Sequence, residues 1–178
     1  MIRRTVMTAT AKQKKQSAIN IGLNDKERAA SADVLNRVLS DQHVLYIKTR
    51  NYHWNVTGPQ FYSLHQLLEA QYTQLEQAID EVAERVRALG YTAFGSMREF
   101  LDCATLKEDA GGRIGAMQMV ANLTADHEAV IRNLREFVDK TEEEIHDMGT
   151  SDFLTGLMEA HEKMAWMLRA FLEDSDEA

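Results

Sequence analysis

The stretch from residue 60 to residue 89 contains neither proline nor glycine, although Pro59 directly precedes it and Gly90 directly follows it. Proline is favoured at the start of a helix and glycine just beyond its end, so this spacing predicts one continuous helix over residues 60–89. The chain of 178 residues has one proline and nine glycines, which leaves room for further long helices. Its hydrophobic content of 44% is enough for the core of one domain. We therefore expect an all-α fold.

Four side chains of metal-ligand type share one stripe of this helix. They are His65, Glu69, Asp80 and Glu84. At 3.6 residues per turn they lie at roughly 0°, 40°, 60° and 100° around the axis. His65 and Glu69 are spaced i, i+4, and so are Asp80 and Glu84. The two side chains of each pair can therefore reach a common ion. His53, just upstream of a short turn, can fold back as a further ligand. A solvated helix face would explain a single pair, but two pairs on one stripe favour a metal site.

The first pair, at 65 and 69, and the second pair, at 80 and 84, cannot meet within one straight helix. Fifteen residues separate His65 from Asp80, or about 22 Å at 1.5 Å per residue, whereas metal–ligand bonds are about 2 Å long. An antiparallel copy of the helix, related by a two-fold axis near Gln74 and Leu75, would bring the first pair of one chain to the second pair of the other. The spacing thus predicts a site that is built twice, between subunits.

The string YHWNVTGPQFYSLHQLLE, followed by IDEVAERVRALG, resembles the signature of the Dps family, the DNA-binding proteins from starved cells, also called mini-ferritins. The resemblance covers residues 25–173. It implies a ferritin-like four-helix bundle with a short extra helix between helices two and three, assembling into a hollow dodecamer. It also implies a ferroxidase that oxidises Fe(II), preferably with hydrogen peroxide, stores the Fe(III) mineral in the shell and protects DNA from oxidative damage.

The resemblance assigns the metal ligands to the same five residues: His53, His65, Glu69, Asp80 and Glu84. The strongly bound ion would be held by Asp80 and Glu84 of one chain with His53 of the other. A second, weaker ion would use His65 and Glu69. Iron is the expected metal, and zinc can occupy the same ligands. Glu69 departs from the family pattern, which often has Asp there, and its side chain is longer by one methylene group.

The first 23 residues differ in charge from the rest of the chain. They contain five basic residues and no acidic residue, a charge of +5. Subtracting five from the 20 basic residues leaves 15 against 28 acidic residues, or −13, for the remainder. We predict a flexible basic tail over residues 1–23 and a bundle domain over residues 24–178. The tail could contact DNA phosphates, or it could simply be a solubilising terminus. Its basic residues are Arg3, Arg4, Lys12, Lys14 and Lys15.

A membrane span is not expected, because the chain has no run of eighteen apolar residues. A secretory signal is not expected either, because the first 23 residues lack the apolar core of such a signal. Cys103 is the single cysteine, so no disulfide framework within the chain exists. A cytoplasmic protein is the resulting expectation, although an organellar transit peptide would also be poor in acidic residues.

The remaining helices are predicted from capping patterns and periodicity. Asn24 with Glu27 opens the first helix, which extends to residue 55, and Ser96 with Glu99 opens the short one. The third helix is expected over residues 113–147 and the last one from a Thr150/Ser151 cap to residue 173. His43, His127 and His161 fall on apolar stripes, so core positions are expected for them.

Acidic residues crowd the end of the third helix, where the helix dipole favours cations. A solvated charge run is the ordinary explanation. The Dps resemblance instead implies an acidic iron-entry pore formed by Glu143, Asp147 and Asp152, with His146 of uncertain role.

Two other functions remain open. One is a diiron protein with a site inside a single bundle, but the Glu-x-x-His pattern that such sites use occurs only at Glu143 to His146, at a helix end. The other is a DNA-compacting structural protein with a vestigial metal site, which the intact ligand set and the acidic body disfavour.

Overall fold

The structure is a computed structural model that describes residues 19–109 and 111–173. These residues form five α-helices and one short π-helical segment, and no strand. The helices are α1 (Asp25–Asn55), α2 (Phe61–Ala88), α3 (Met97–Cys103), α4 (Ala116–Asp139) and α5 (Met148–Glu173), with the π-helix at Lys140–Glu144. The tail assigned to residues 1–23 lies almost entirely outside the described residues.

The four long helices pack as two antiparallel pairs. His53 of α1 lies against His65 of α2, and nearer the middle of the pair Tyr46 donates to Glu76. In the second pair, Arg169 of α5 binds Glu128 of α4. Leucines of all four long helices meet in one core, and the short α3 lies in the long connection between α2 and α4. The predicted four-helix bundle with an extra short helix is confirmed.

Both predicted capping boxes are present. The Asn24 side chain accepts from the backbone N–H of Glu27, whose carboxylate accepts from the N–H of Asn24. Ser96 and Glu99 make the same reciprocal bonds at the start of α3. Each box satisfies backbone donors that a helix start would otherwise leave open.

The boundaries predicted around the acidic run were wrong. The α-helical part of the third helix begins at Ala116 and ends at Asp139, where it continues as the π-helix. The last helix begins at Met148, before the predicted Thr150/Ser151 cap. Asp147 is the residue that caps it, because its carboxylate accepts from the backbone N–H of Thr150 at 3.0 Å.

Two imidazoles occupy the centre of the bundle. His127 of α4 and His161 of α5 are both 0% exposed, and their Nδ1 atoms are 2.9 Å apart. The Nε2 atom of His161 also contacts the amide of Gln42, whereas Nε2 of His127 has no partner. Burial lowers the pKa of His127 well below its usual value and that of His161 to about 3, so both rings are neutral near pH 7. Their predicted core positions are confirmed.

Ile47 of α1 is a large apolar residue at the surface. It is 48% exposed, and it lines a groove of about 250 Å³ with the exposed Met97 and Leu101 of α3.

No helix among the described residues is long and apolar enough to cross a membrane.

Candidate metal centre

His53, at the end of α1, and His65, near the start of α2, hold each other in place. Nδ1 of His53 is 2.8 Å from the backbone oxygen of His65, and Nδ1 of His65 is 2.9 Å from the backbone oxygen of His53. A carbonyl oxygen can only accept, so both Nδ1 atoms carry the proton. In each neutral ring Nε2 therefore keeps its lone pair, which is the form of histidine that binds metals.

The two rings are also stacked. Their centroids are 3.8 Å apart and their planes differ by 19°. His53 is buried and His65 is half-buried, so the pair combines a fixed orientation with access from the surface.

Aromatic side chains surround the histidine pair. Tyr72 meets His53 edge-on at 5.2 Å, and Phe61 stacks on His65 at 5.1 Å. The Arg50 guanidinium lies over the rings of Tyr72 and Trp54, at 5.0 and 5.2 Å from their centroids. Arg50 and Tyr72 were not among the site residues predicted from the sequence. The i, i+4 spacing of Arg50 and Trp54, which makes them neighbours on one helix face, is the signal that could have found Arg50.

The three carboxylates assigned as ligands are all exposed on α2. Glu69 lies one turn after His65, while Asp80 and Glu84 lie near the far end of the helix. Because α2 is unbroken over its 28 residues, the separation of about 22 Å between His65 and Asp80 applies to the folded chain. Within one chain, the described residues include no group of three or more His, Cys, Asp or Glu arranged to hold a metal ion.

A groove of about 570 Å³ lies beside Asp80, where α1 and α2 meet the segment that leads to α3. Its lining includes His43 of α1, Glu76 and Asp80 of α2, and Phe100 of α3. Burial lowers the pKa of His43, a hydrogen bond to the backbone of Leu39 partly offsetting the effect. The second half of the candidate site thus borders a concave surface that carries its own imidazole.

Comparison with known proteins agrees with this fold. The family model of the ferritin-like domain matches residues 32–178. A low temperature-induced protein of Nostoc sp. is 57% identical over 155 residues, which are 87% of each chain. DNA protection during starvation protein 2 of Bacillus anthracis is 40% identical over 79% of this chain and 94% of its own. This chain belongs to the Dps family of ferritin-like proteins.

A solved Dps structure supports the same assignment. The Dps protein of Vibrio cholerae O1, described as a member of a broad superfamily of ferritin-like diiron-carboxylate proteins, matches with a TM-score of 0.82. It is 31% identical, and the match covers 90% of this chain and 99% of the Vibrio chain. The Dps resemblance found in the sequence is therefore confirmed.

The predicted pore residues of this Dps protein have different surroundings. Glu143 and Asp152 are exposed, but Asp147 is 4% exposed. The Asp147 carboxylate accepts hydrogen bonds from Ser31 Oγ, from Thr150 Oγ and N, and from Arg85. Asp147 therefore joins the start of α5 to α1 and α2, and the assignment of these three residues to a pore stays a prediction.

The segment before α5 is strained. His146 has a φ of +62°, in the left-handed region that disfavours residues other than glycine. Ile145 separates it from the π-helix, and its Nδ1 lies 3.3 Å from the backbone oxygen of Glu142. This turn reverses the chain between α4 and α5 and leaves the His146 side chain exposed.

Proposed function

We propose that this Dps protein is a ferroxidase that binds Fe(II) between two-fold-related subunits and stores Fe(III) inside a shell of twelve subunits. The observation that carries the proposal is the reciprocal pairing of His53 and His65. It leaves the Nε2 lone pair of each ring available, and it places His53 against His65, which lies one turn before Glu69 on α2. Imidazole and carboxylate together suit a redox iron that must bind and leave again.

The second subunit is required by distance. One ion cannot bridge about 22 Å, so the first pair needs the second pair of a neighbour. A two-fold axis near the middle of α2 supplies it, because an isologous contact places residue i against residue j and j against i. Each dimer would then hold two identical sites, and twelve subunits would hold twelve.

The chemistry follows from having two ferrous ions together. Hydrogen peroxide needs two electrons and two protons to become two molecules of water, and two Fe(II) ions supply both electrons. A single ion would supply one electron and release a hydroxyl radical. Hydrolysis and mineral growth would follow in the interior of the shell. Exposed carboxylates such as Glu143 and Asp152 would draw cations inward electrostatically if they line a pore with Asp147. Zinc would compete for the same nitrogen and oxygen ligands.

Mixed shells, which are coassembled from two different variant chains, test the shared site directly. One variant, His65→Ala with Glu69→Ala, lacks the first half, and another, Asp80→Asn with Glu84→Gln, lacks the second half. Each alone should lose peroxide-driven Fe(II) oxidation measured anaerobically. A dimer of one chain of each kind has one intact site and one doubly damaged site. Equal, random coassembly should therefore restore about a quarter of the wild-type initial rate.

The alternatives give different outcomes. A site within one bundle leaves nothing to complement, so mixed shells would be as inactive as the parent variants. A chain that sediments as a monomer and still oxidises iron would establish the intrachain diiron function instead. A vestigial metal site would leave the wild-type protein itself inactive.

DNA binding through the basic tail is a second proposal. Five positive charges and no negative charge precede residue 24, and the rest of the chain is strongly acidic. A shell would present many such tails together, so weak contacts with phosphates would add up. The tail residues Arg3, Arg4, Lys12, Lys14 and Lys15 lie outside the described residues, and a cytoplasmic location likewise remains a prediction.

A further inference from the structure

His43 lines the groove beside Asp80 and has an available nitrogen. Its Nδ1 is 2.9 Å from the backbone oxygen of Leu39, one turn earlier in α1. The carbonyl oxygen must accept, so Nδ1 carries the proton and Nε2 of the neutral ring keeps its lone pair. This is the same tautomer that the backbone imposes on His53 and His65 in the other half of the site.

The ring of His43 is held in one orientation. It stacks on Phe100 of α3, with centroids 3.7 Å apart and planes 15° apart. The hydrogen bond to Leu39 fixes the rotation of the ring within that stack. Metal sites commonly orient an imidazole through a bond from its other nitrogen to a backbone carbonyl, and His43 has that arrangement before any ion arrives.

Two carboxylates share the groove with His43. Glu76 and Asp80 are spaced i, i+4 on α2, so their side chains lie on one face and can reach a common ion. Both are exposed, and Tyr46 donates a 3.4 Å hydrogen bond to Glu76. The three groups do not already surround one point in the chain as described, so closing on an ion requires new rotamers of the two exposed carboxylates.

We propose that His43, Glu76 and Asp80 form a further binding position for a divalent transition-metal ion, contributed by one chain and adjacent to the shared centre. The inference rests on the proposed function in one respect, since Asp80 would serve both positions. One imidazole and two carboxylates favour Fe(II), Co(II) or Zn(II) over Mg(II), which prefers an all-oxygen shell. The position would hold a ferrous ion beside the site where oxidation occurs.

Anaerobic titration of the assembled protein with Co(II) tests this position without relying on activity. Calorimetry gives the number of ions, and the visible absorption of Co(II) reports nitrogen ligation. The background is His53→Ala with His65→Ala, which removes both imidazoles of the shared centre. That variant should still bind Co(II) with an imidazole-type spectrum. Adding His43→Phe, which preserves the stack on Phe100, should weaken the remaining binding by about tenfold or more.

Glu76→Gln is the second variant, because it changes an exposed side chain and leaves the packing of His43 intact. It should weaken the same Co(II) binding that remains in His53→Ala/His65→Ala. Glu81→Gln, on an exposed part of α2 outside the groove, is the matched control and should have no effect. Shell mass and helical circular dichroism confirm assembly of every variant.

Two results would overturn the inference. One is unchanged Co(II) binding when His43→Phe and Glu76→Gln are combined in that background. The other is the complete loss of Co(II) binding in His53→Ala/His65→Ala alone. Neither result depends on iron oxidation, which the mixed-shell experiment measures separately, so failure of this position and failure of the shared ferroxidase site are distinguishable.

Discussion

His53 and His65 exchange hydrogen bonds across the corner between α1 and α2, each ring donating to the backbone oxygen of the other residue. Because both acceptors belong to the backbone, replacing either side chain removes only one of the two bonds. The other ring retains its partner but loses its stacking neighbour. The pair therefore orients two nitrogens and also fastens the two helices together.

A double-mutant cycle at this pair should show coupling. His53→Ala and His65→Ala should each cost about 1 kcal/mol for the lost hydrogen bond. Stacking adds about 0.5–1.5 kcal/mol that either single change removes, so the double variant should lose less than the sum of the two. Urea unfolding at one fixed protein concentration measures this, and strictly additive losses would show that the stack contributes nothing.

Asp147 should be essential for stability. Asp147→Ala removes the cap of α5 and leaves Ser31, Arg85 and Thr150 without their shared acceptor. We expect a loss of about 2–4 kcal/mol in the free energy of unfolding. Asp152→Ala, at an exposed position, is the control and should change stability by less than about 0.5 kcal/mol. Equal losses for the two variants would contradict the buried role of Asp147.

The buried pair His127 and His161 should make the bundle sensitive to acid. Folding holds the pKa of both rings below the unfolded value of 6.5, so the unfolded chain binds more protons as the pH falls. The contribution of these two rings to the free energy of unfolding is fully present above pH 6.5. It declines as the pH falls toward about 3, where His161 takes up a proton in the folded protein. At pH 5 the loss from His161 alone should be about 2 kcal/mol.

Unfolding free energies measured between pH 7.5 and pH 5 check this dependence. The matched variant His127→Leu with His161→Leu should have a flatter profile, because it has no buried imidazole to charge. The same slope in both proteins would assign the acid sensitivity to other groups.

Removing one partner of the ion pair between Lys48 and Asp126 should destabilise the fold. Their charged atoms are 2.6 Å apart, and the side chains are 9% and 17% exposed. Lys48→Met should cost about 3–5 kcal/mol, since it leaves a buried carboxylate without its partner. Adding Asp126→Leu should recover most of the loss in denaturant unfolding. Burial already raises the pKa of Asp126, so the single variant should be less destabilised at pH 5 than at pH 8. Lack of recovery in the double variant would indicate a packing defect instead.

The basic tail should account for any binding to DNA. Deleting residues 1–15 should abolish a salt-sensitive gel shift of plasmid DNA. Changing Arg3, Arg4, Lys12, Lys14 and Lys15 together to Gln should do the same while keeping the length of the tail. An unchanged shift with either protein would show that the contact lies elsewhere.

Helix-scale features were predictable from the sequence because their causes are local. The run between Pro59 and Gly90 predicted α2, and the Asn24/Glu27 and Ser96/Glu99 patterns predicted two helix starts. Each rests on interactions within four residues along the chain.

The end of the third helix was not predictable in this way. Asp147 looked like one more member of an acidic run, whereas the fold buries it against Ser31, 116 residues away in the chain. The tautomers of His53 and His65 likewise depend on backbone atoms brought together by the turn between α1 and α2. The lining of the groove by His43 and Asp80 requires the positions of three helices, which spacing along one helix does not reveal.

Under the proposed shared site, the length of α2 makes each chain depend on its neighbour for half of the metal ligands. A chain separated from its copies would have no complete site and would not oxidise iron. The rate of Fe(II) oxidation per chain should therefore fall on dilution, in step with the dissociation of dimers.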